Sequence, residues 1–342
     1  MNKILVTGGT GYIGSHTVVE LMEAGYEVII IDSLASSDKS VLEGIEKIIG
    51  EKPQFKKIDL CDIKKCRTFF EDNLDIDAII HFAAYKSVIE SITNPLKYYQ
   101  NNLNSLMNLL VVMKEKNLNN LVFSSSATVY GDANELPVTE KSPLKKATCA
   151  YGETKQICED IISSFVKSDL GFSTIALRYF NPIGAHFSIE IGESPIGIPA
   201  NLVPFVTQTG IGLRKELQVF GGNYDTPDGT CIRDYIHVVD LARAHVCAVK
   251  RLISKNKKGV EIFNLGTGEG NSVLDVIHSF ERVSGKKLSF RITERRDGDI
   301  ETSFADTRLA NKTLNWKTKS SLDDAMKTAW QWEQKIAKGK NL

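Results

Sequence analysis

Three observations predict an α/β fold for this chain of 342 residues. Short apolar, β-rich runs alternate with longer helical patterns through its first half, a glycine-rich turn joins the first run to the first helical pattern, and the alternation breaks after Asn181-Pro182. Alternation of this kind builds a doubly wound parallel sheet with crossover helices. The clustering of Gly and Pro through 182–229 marks the start of a smaller, mixed α/β C-terminal domain.

Taken in order, six apolar runs read as strands: Lys3 to Thr7, Glu27 to Ile31, Gln54 to Ile58, Ala78 to Phe82, Leu121 to Ser125 and Ser173 to Arg178. Helices are predicted near 14–24, 41–49, 63–73, 95–116 and 150–168. The rhythm returns with a helix from Asp240 to Lys250 and a strand from Val260 to Leu265. The first domain is therefore expected over 1–182, completed by about 233–265, and the second over 183–232 and 266–342. The Lys-rich stretch 254–258 and the basic tail read as solvated surface.

Composition narrows the function classes. Lys+Arg total 42 and Asp+Glu total 42, so the formal net charge is zero, and 42% of residues are hydrophobic. Such a chain has no bulk electrostatic pull toward nucleic acid or a membrane surface. No signal peptide and no membrane span is expected. The six cysteines (Cys61, Cys66, Cys149, Cys158, Cys231, Cys247) show no Cys-x-x-Cys pair and no metal-like pairing with histidine. They read as reduced thiols of a cytoplasmic protein without a metal site.

The first strand runs into Gly8-Gly9-Thr10-Gly11-Tyr12-Ile13-Gly14, with a helix directly after it. Gly8, Gly11 and Gly14 at this spacing permit a tight turn, let backbone N–H groups approach a pyrophosphate, and let helix and sheet pack closely. The expected ligand is a dinucleotide and the fold Rossmann-like. Asp32 ends the second strand 18 positions past Gly14, where a carboxylate accepts from ribose hydroxyls and repels a 2′-phosphate, so NAD is favoured over NADP. Asp59, closing the third strand, is placed to accept from the adenine amine.

Tyr151 and Lys155 open the helix near 150–168, and their i, i+4 spacing sets phenol and ammonium on one face. A free phenol titrates near ~10 and is a poor base at neutral pH. Lys155 and a bound nicotinamide cation are expected to favour its phenolate, which then takes a proton from a sugar hydroxyl as hydride leaves the same carbon. Ser124, Ser125 and Ser126 stand at the C-terminal end of a strand, where open α/β sheets place ligands. One of these hydroxyls is expected to bond the reacting oxygen.

These blocks, with Ala127-Thr128-Val129-Tyr130-Gly131, Arg178-Tyr179-Phe180-Asn181-Pro182, Arg233-Asp234-Tyr235-Ile236-His237-Val238 and Asn264-Leu265-Gly266-Thr267-Gly268, resemble the extended short-chain dehydrogenase/reductase family. The match narrows to its UDP-hexose 4-epimerases and runs over essentially the whole chain. The resemblance implies a tightly held NAD, hydride removal from C4 of a UDP-hexose, a 4-keto intermediate that turns over, and hydride return to the opposite face. By position it makes Tyr151 the base, Lys155 its tuning partner and Ser126 the ligand of the C4 oxygen. Cofactor positions then fall on Tyr12, Ile13, Asp32, Ser33, Leu34, Ala35, Ser36, Ser37, Asp59, Leu60, Phe82, Ala83, Ala84, Lys86, Asn101, Ser126, Tyr151, Lys155 and Phe180. UDP-sugar positions fall on Lys86, Ser126, Ala127, Thr128, Tyr151, Tyr179, Asn181, Asn201, Leu202, Gln218, Val219, Phe220, Arg233, Arg296, Asp299 and Ser303. Arg233 and Arg296 offer planar forks for phosphate oxygens, and Asp299 suits a ribose hydroxyl.

Three departures stand out. Ala84 replaces a common glycine, Cys149-Ala150 replaces the usual Ser-Pro before Tyr151, and Ser303 stands where a bulky tyrosine commonly lies beside the sugar C2. A small residue there is expected to admit an N-acetyl group, extending the substrates to UDP-N-acetylglucosamine and UDP-N-acetylgalactosamine. The rivals are a nucleotide-sugar 4,6-dehydratase or decarboxylase and a non-catalytic NAD-binding sensor. A dehydratase needs an Asp-Glu pair after Thr128, where Val129-Tyr130 stand, and a sensor commonly lacks the tyrosine or the lysine. The resemblance further implies a homodimer built on the helices near 95–116 and 150–168. The stripe Leu103, Leu106, Leu109 and Leu110 reads either as that interface or as core.

Overall fold

A computed structural model describes residues 1–169, 171–254, 258–296 and 298–339. Residues 255–257 of the Lys-rich stretch and the last three residues of the basic tail lie outside the described residues. The strands are β1 (Lys3–Thr7), β2 (Glu27–Asp32), β3 (Gln54–Lys57), β4 (Ala78–His81), β5 (Asn120–Ser126), β6 (Ser173–Tyr179), β7 (Asn181–Ile183), β8 (Leu217–Phe220), β9 (Ile232–Arg233), β10 (Tyr235–His237), β11 (Gly259–Leu265), β12 (Asn271–Ser272), β13 (Phe290–Thr293) and β14 (Thr302–Ser303). The helices are α1 (Tyr12–Glu23), α2 (Val41–Ile49), α3 (Ile63–Glu71), α4 (Val88–Thr93), α5 (Pro95–Glu115), α6 (Ala150–Ser168), α7 (Leu202–Gly210), α8 (Val238–Ser254), α9 (Val273–Ser284), α10 (Arg308–Leu314) and α11 (Leu322–Gly339).

Seven strands form one sheet in the order β11-β6-β5-β4-β1-β2-β3, and every neighbouring pair is parallel. Because strand residues point alternately to opposite faces, Ile4, Val6, Val28 and Ile30 feed one core while Leu5, Ile29 and Ile31 feed another. The first core packs under α1 and α8, the second under α5 and α6. The late strand predicted at 260–265 is β11, the seventh strand, paired with β6 from Gly259↔Ser173 to Leu265↔Tyr179.

The order reverses between β1 and β4, and such a switch point opens a crevice beyond the C-terminal strand ends. Gly8, at φ +71°, lies so close to the end of β4 that a Cβ there would stand 2.7 Å from the Ala83 nitrogen. The second domain packs α7, α9 and α11 with the β8–β13 pair around Val206, Val219, Ile277 and Phe280, the last edge-on to Trp330 at 5.3 Å between ring centroids.

Some boundaries and placements differ from expectation. α1 starts at Tyr12, within the glycine turn itself, and α8 begins at Val238, where the His237 ring accepts from the Val239 N–H at 3.1 Å. α4 is an added helix, begun by Ser87, whose hydroxyl accepts from the Glu90 N–H. Ala310, Leu314 and Trp316 pack into the core of the sheet, and the Trp316 indole donates to the Asp240 carbonyl at 2.9 Å. Of the α5 stripe, Leu106, Leu109 and Leu110 are core and Leu103 packs against it. The apolar side chains that α5 leaves exposed along this stretch are Met107 and Val111.

Candidate active site

The glycine turn is shaped by backbone contacts that a side chain would break. Gly11 N–H donates to the Gly8 carbonyl at 3.1 Å, and a Cβ on Gly14 would lie 2.3 Å from that same oxygen. The N-cap of α1 is Gly11, so the first N–H groups of this helix are turned to the crevice with no capping side chain of their own. Such a cradle fits a pyrophosphate in size and in donor chemistry.

At the end of β2, Asp32 is buried, and its two oxygens accept from the Thr10 and Leu34 N–H groups at 3.2 and 2.8 Å. Ser37 donates to the same carboxylate at 3.4 Å. Ser33 and Leu34 are half-buried and Ala35 and Ser36 exposed, so this loop forms an open rim. Asp59 is exposed and accepts from the Cys61 N–H, while Leu60 is buried, and the thiol of Cys61 reaches Asn101. Phe82, Ala83 and Ala84 follow β4 along the crevice wall, half-buried, and Ile13 enters the core beneath α1. Gly8, Asp32, Asp59 and Phe82 to Ala84 thus all stand at C-terminal strand ends.

The catalytic candidates gather at the end of β5. Ser126 accepts from both the N–H and the hydroxyl of Thr128, at 3.2 and 2.9 Å, in a short 3-10 turn that starts at Ala127. Lys155 is buried and donates to the Ser124 carbonyl at 2.6 Å, with its nitrogen 6.0 Å from the Tyr151 ring centroid. Burial pulls Lys155 down to about 8, against the pull of Cys158 and Glu159. Burial also pushes the Tyr151 phenol up to about 12, and a hydrogen bond from Ser126 works the other way.

Among the chain's own groups desolvation outweighs the Ser126 hydrogen bond at the Tyr151 phenol.

Sequence reasoning missed the support behind this pair. Glu159, one further turn along the Tyr151–Lys155 face, takes a bidentate grip from Arg178 at 2.9 and 2.5 Å and a hydrogen bond from Ser125 at 2.5 Å. The i, i+4, i+8 spacing of Tyr151, Lys155 and Glu159 was the available signal.

Tyr179 ends β6, with Ser124 and Tyr151 among its neighbours. It is buried in the core of the sheet, and its hydroxyl meets the His245 ring at 2.5 Å. Phe180 is likewise buried, against Val129 and Tyr130, whereas Asn181 is exposed.

Two clusters represent the remaining candidates. Arg233 and Arg296 both donate to Asp299, at 2.8 and 3.1 Å, and Arg296 stacks over Phe220 at 4.6 Å. Ser303 pairs with Arg233 between β14 and β9, while on β8 Gln218 is exposed and Val219 is core. In the second cluster the Glu193 carboxylate accepts from Lys86 and from Asn201, the N-cap residue of α7 just before Leu202. The Tyr12 ring lies beneath Lys86 at 5.7 Å, and its hydroxyl donates to the Gly184 carbonyl at 2.6 Å. Glu193 has no sequence signal, because it lies in a Gly- and Pro-containing loop without periodicity. No group of metal-ligating side chains and no membrane-crossing helix occurs among the described residues.

The NAD dependent epimerase/dehydratase family matches residues 4–266. A UDP-glucose 4-epimerase of Dictyostelium discoideum is 48% identical, with 97% of this chain and 96% of that protein covered. Among solved structures, the UDP-glucose-4-epimerase of Stenotrophomonas maltophila with bound NAD and formylated UDP-arabinopyranose is 44% identical with a TM-score of 0.96, covering 99% of this chain and 100% of that one. The UDP-glucose 4-epimerase of Bifidobacterium longum, in complex with NAD+ and UDP, is 45% identical with a TM-score of 0.95 and the same coverage.

The lowered Lys155 value carries a stability signature. Between pH 8 and 10.5 the unfolded chain holds a proton that the folded chain has released, so stability rises with pH through that window. Urea unfolding of wild type and Lys155→Met at pH 7.5 and 10.5 should show wild type gaining about 3 kcal/mol on the variant. A difference that does not change with pH contradicts the buried, lowered ammonium.

Proposed function

Since the chain belongs to the NAD dependent epimerase/dehydratase family, we propose that it is an NAD-dependent UDP-hexose 4-epimerase interconverting UDP-glucose and UDP-galactose. The observation that carries this reading is the gathering of Tyr151, Lys155 and Ser126 at the end of β5, in a chain that also carries the glycine cradle at Gly8 to Gly14 and the paired Arg233 and Arg296.

A bound NAD would supply the hydride acceptor and donor for the sugar C4, and its nicotinamide cation would favour the phenolate of Tyr151. The N–H groups opening α1 hold the pyrophosphate, and Asp32 accepts from the adenosine ribose. Ser33 to Ser37, Asp59, Leu60, Phe82 to Ala84, Lys86, Asn101 and Phe180 complete the cofactor side. Tyr151 takes the C4 hydroxyl proton as hydride leaves that carbon, and keeps the proton while the 4-keto sugar turns over. When hydride returns to the other face, Tyr151 gives the proton back to the oxygen, which Ser126 has kept hydrogen-bonded. Arg233 and Arg296 grip the diphosphate, while Asn181, Asn201, Leu202, Gln218 to Phe220 and Asp299 hold the rest of UDP. Ala127 and Thr128 flank the sugar.

Elimination of water has no support here, because Val129 and Tyr130 occupy the place of a dehydratase's acid/base pair and both are buried. Ser303 supports a wider substrate range, its small side chain standing on β14 beside Arg233. Assembly is proposed to use the exposed Met107 and Val111 of α5 against a second copy of the chain. Six free thiols agree with residence in the cytoplasm.

Purified protein without added cofactor should equilibrate UDP-galactose with UDP-glucose, and Tyr151→Phe should lower kcat by about 10³-fold. Accumulation of a keto sugar, or no change in the epimer ratio, would sink the assignment. UDP-N-acetylglucosamine should also be converted, with Ser303→Tyr suppressing that conversion selectively. An enzyme inert toward acetylated sugars refutes the wider range. In sedimentation the wild type should run at twice its 37.9 kDa chain mass, and Val111→Glu should run as one chain. A monomeric wild type removes the dimer.

A further inference from the structure

Glu193 places a carboxylate where two anionic ligands are proposed to meet, and the chemistry above asks nothing of it. Its backbone is held firmly. Ile191 is buried, the His186 N–H donates to its carbonyl at 3.0 Å, and Gly192 lies so close to Trp332 that a Cβ would stand 2.5 Å from the indole. The Trp332 indole N–H in turn donates to the Glu193 carbonyl at 2.9 Å.

From this fixed base one oxygen, Oε1, accepts from the Asn201 amide at 2.7 Å and from the Lys86 ammonium at 3.3 Å. Lys86 belongs to the loop after β4, on the cofactor side, and Asn201 opens α7, on the substrate side. The carboxylate is mostly buried while the lysine is half exposed. The less mobile partner of this pair is therefore the acid.

We propose that Glu193 is a positioning residue for UDP-sugar binding, aiming Lys86 and Asn201 into the gap between cofactor and substrate. This rests on the epimerase reading. Its sign sets it apart from simple electrostatics. A bystander carboxylate repels a diphosphate, so neutralising it strengthens binding. A carboxylate that aims a cation and an amide predicts the opposite.

The test is calorimetry of UDP binding to the NAD-loaded protein, with steady-state kinetics on UDP-galactose. Glu193→Gln keeps an acceptor for Asn201 and removes the charge that holds Lys86, so the UDP dissociation constant and KM should rise about tenfold with kcat within about threefold. Lys86→Met should weaken UDP to a similar extent, and the double variant should bind no worse than Lys86→Met alone. Glu193→Asp, which retains the charge, should recover part of the loss. Equal or tighter UDP binding by Glu193→Gln, or effects that multiply in the double variant, overturns the inference alone. Wild-type protein that binds no UDP overturns the epimerase reading together with it.

Discussion

Parallel strands cannot be joined by tight turns, and the crossover that replaces a turn must lie on one face of the sheet or the other. Everything else in this molecule depends on that constraint. The chain runs outward from β1 to β3, returns to β4 and runs outward again, so the connections after β1 and β4 leave in opposite directions. The gap between them is a place where backbone can be brought against ligand without side chains intervening, and Gly8 and Gly14 keep it clear. Burial on both faces follows from the same constraint, and with it the apolar strands that supply rigidity behind the site.

That rigidity has an electrostatic cost, met locally. Helix α6 carries a phenol, an ammonium and a carboxylate on one largely buried face. Glu159 is neutralised by Arg178 in a bidentate pair shielded from solvent, and Lys155 is solvated by the Ser124 carbonyl at the end of a strand. A buried ion pair adds little net stability but is expensive to leave half made, so it holds the helix in one register against β5 and β6. Burial raises the Tyr151 phenol while a hydrogen bond from Ser126 lowers it, a balance that charge brought by a ligand would shift.

How much of this was legible follows from the range over which each feature is determined. The glycine turn, Asp32 and the Tyr151–Lys155 pair are set by spacing within one turn or one strand–helix unit, so residues close in sequence carried the information. The partner of the Tyr179 hydroxyl was not legible, because a residue at a strand end sits between core and crevice and His245 lies far along the chain on α8. The packing of Trp316 and Ala310 was not legible because their partners lie on α8 and under the sheet, far back in the chain. Glu193 depends on Trp332, a contact that no local pattern announces.

Arg233, Asp299 and Arg296 together carry one positive charge rather than two, because the carboxylate between the guanidinium groups is shared by both. A diphosphate binding there would trade partners with Asp299 instead of meeting bare cations, which would make capture and discharge both exchange reactions. Asp299 is always at hand to reclaim the arginines. For a reversible catalyst whose two nucleotide-bound forms differ at a single carbon, a grip that is as easily undone as made keeps the traffic moving both ways.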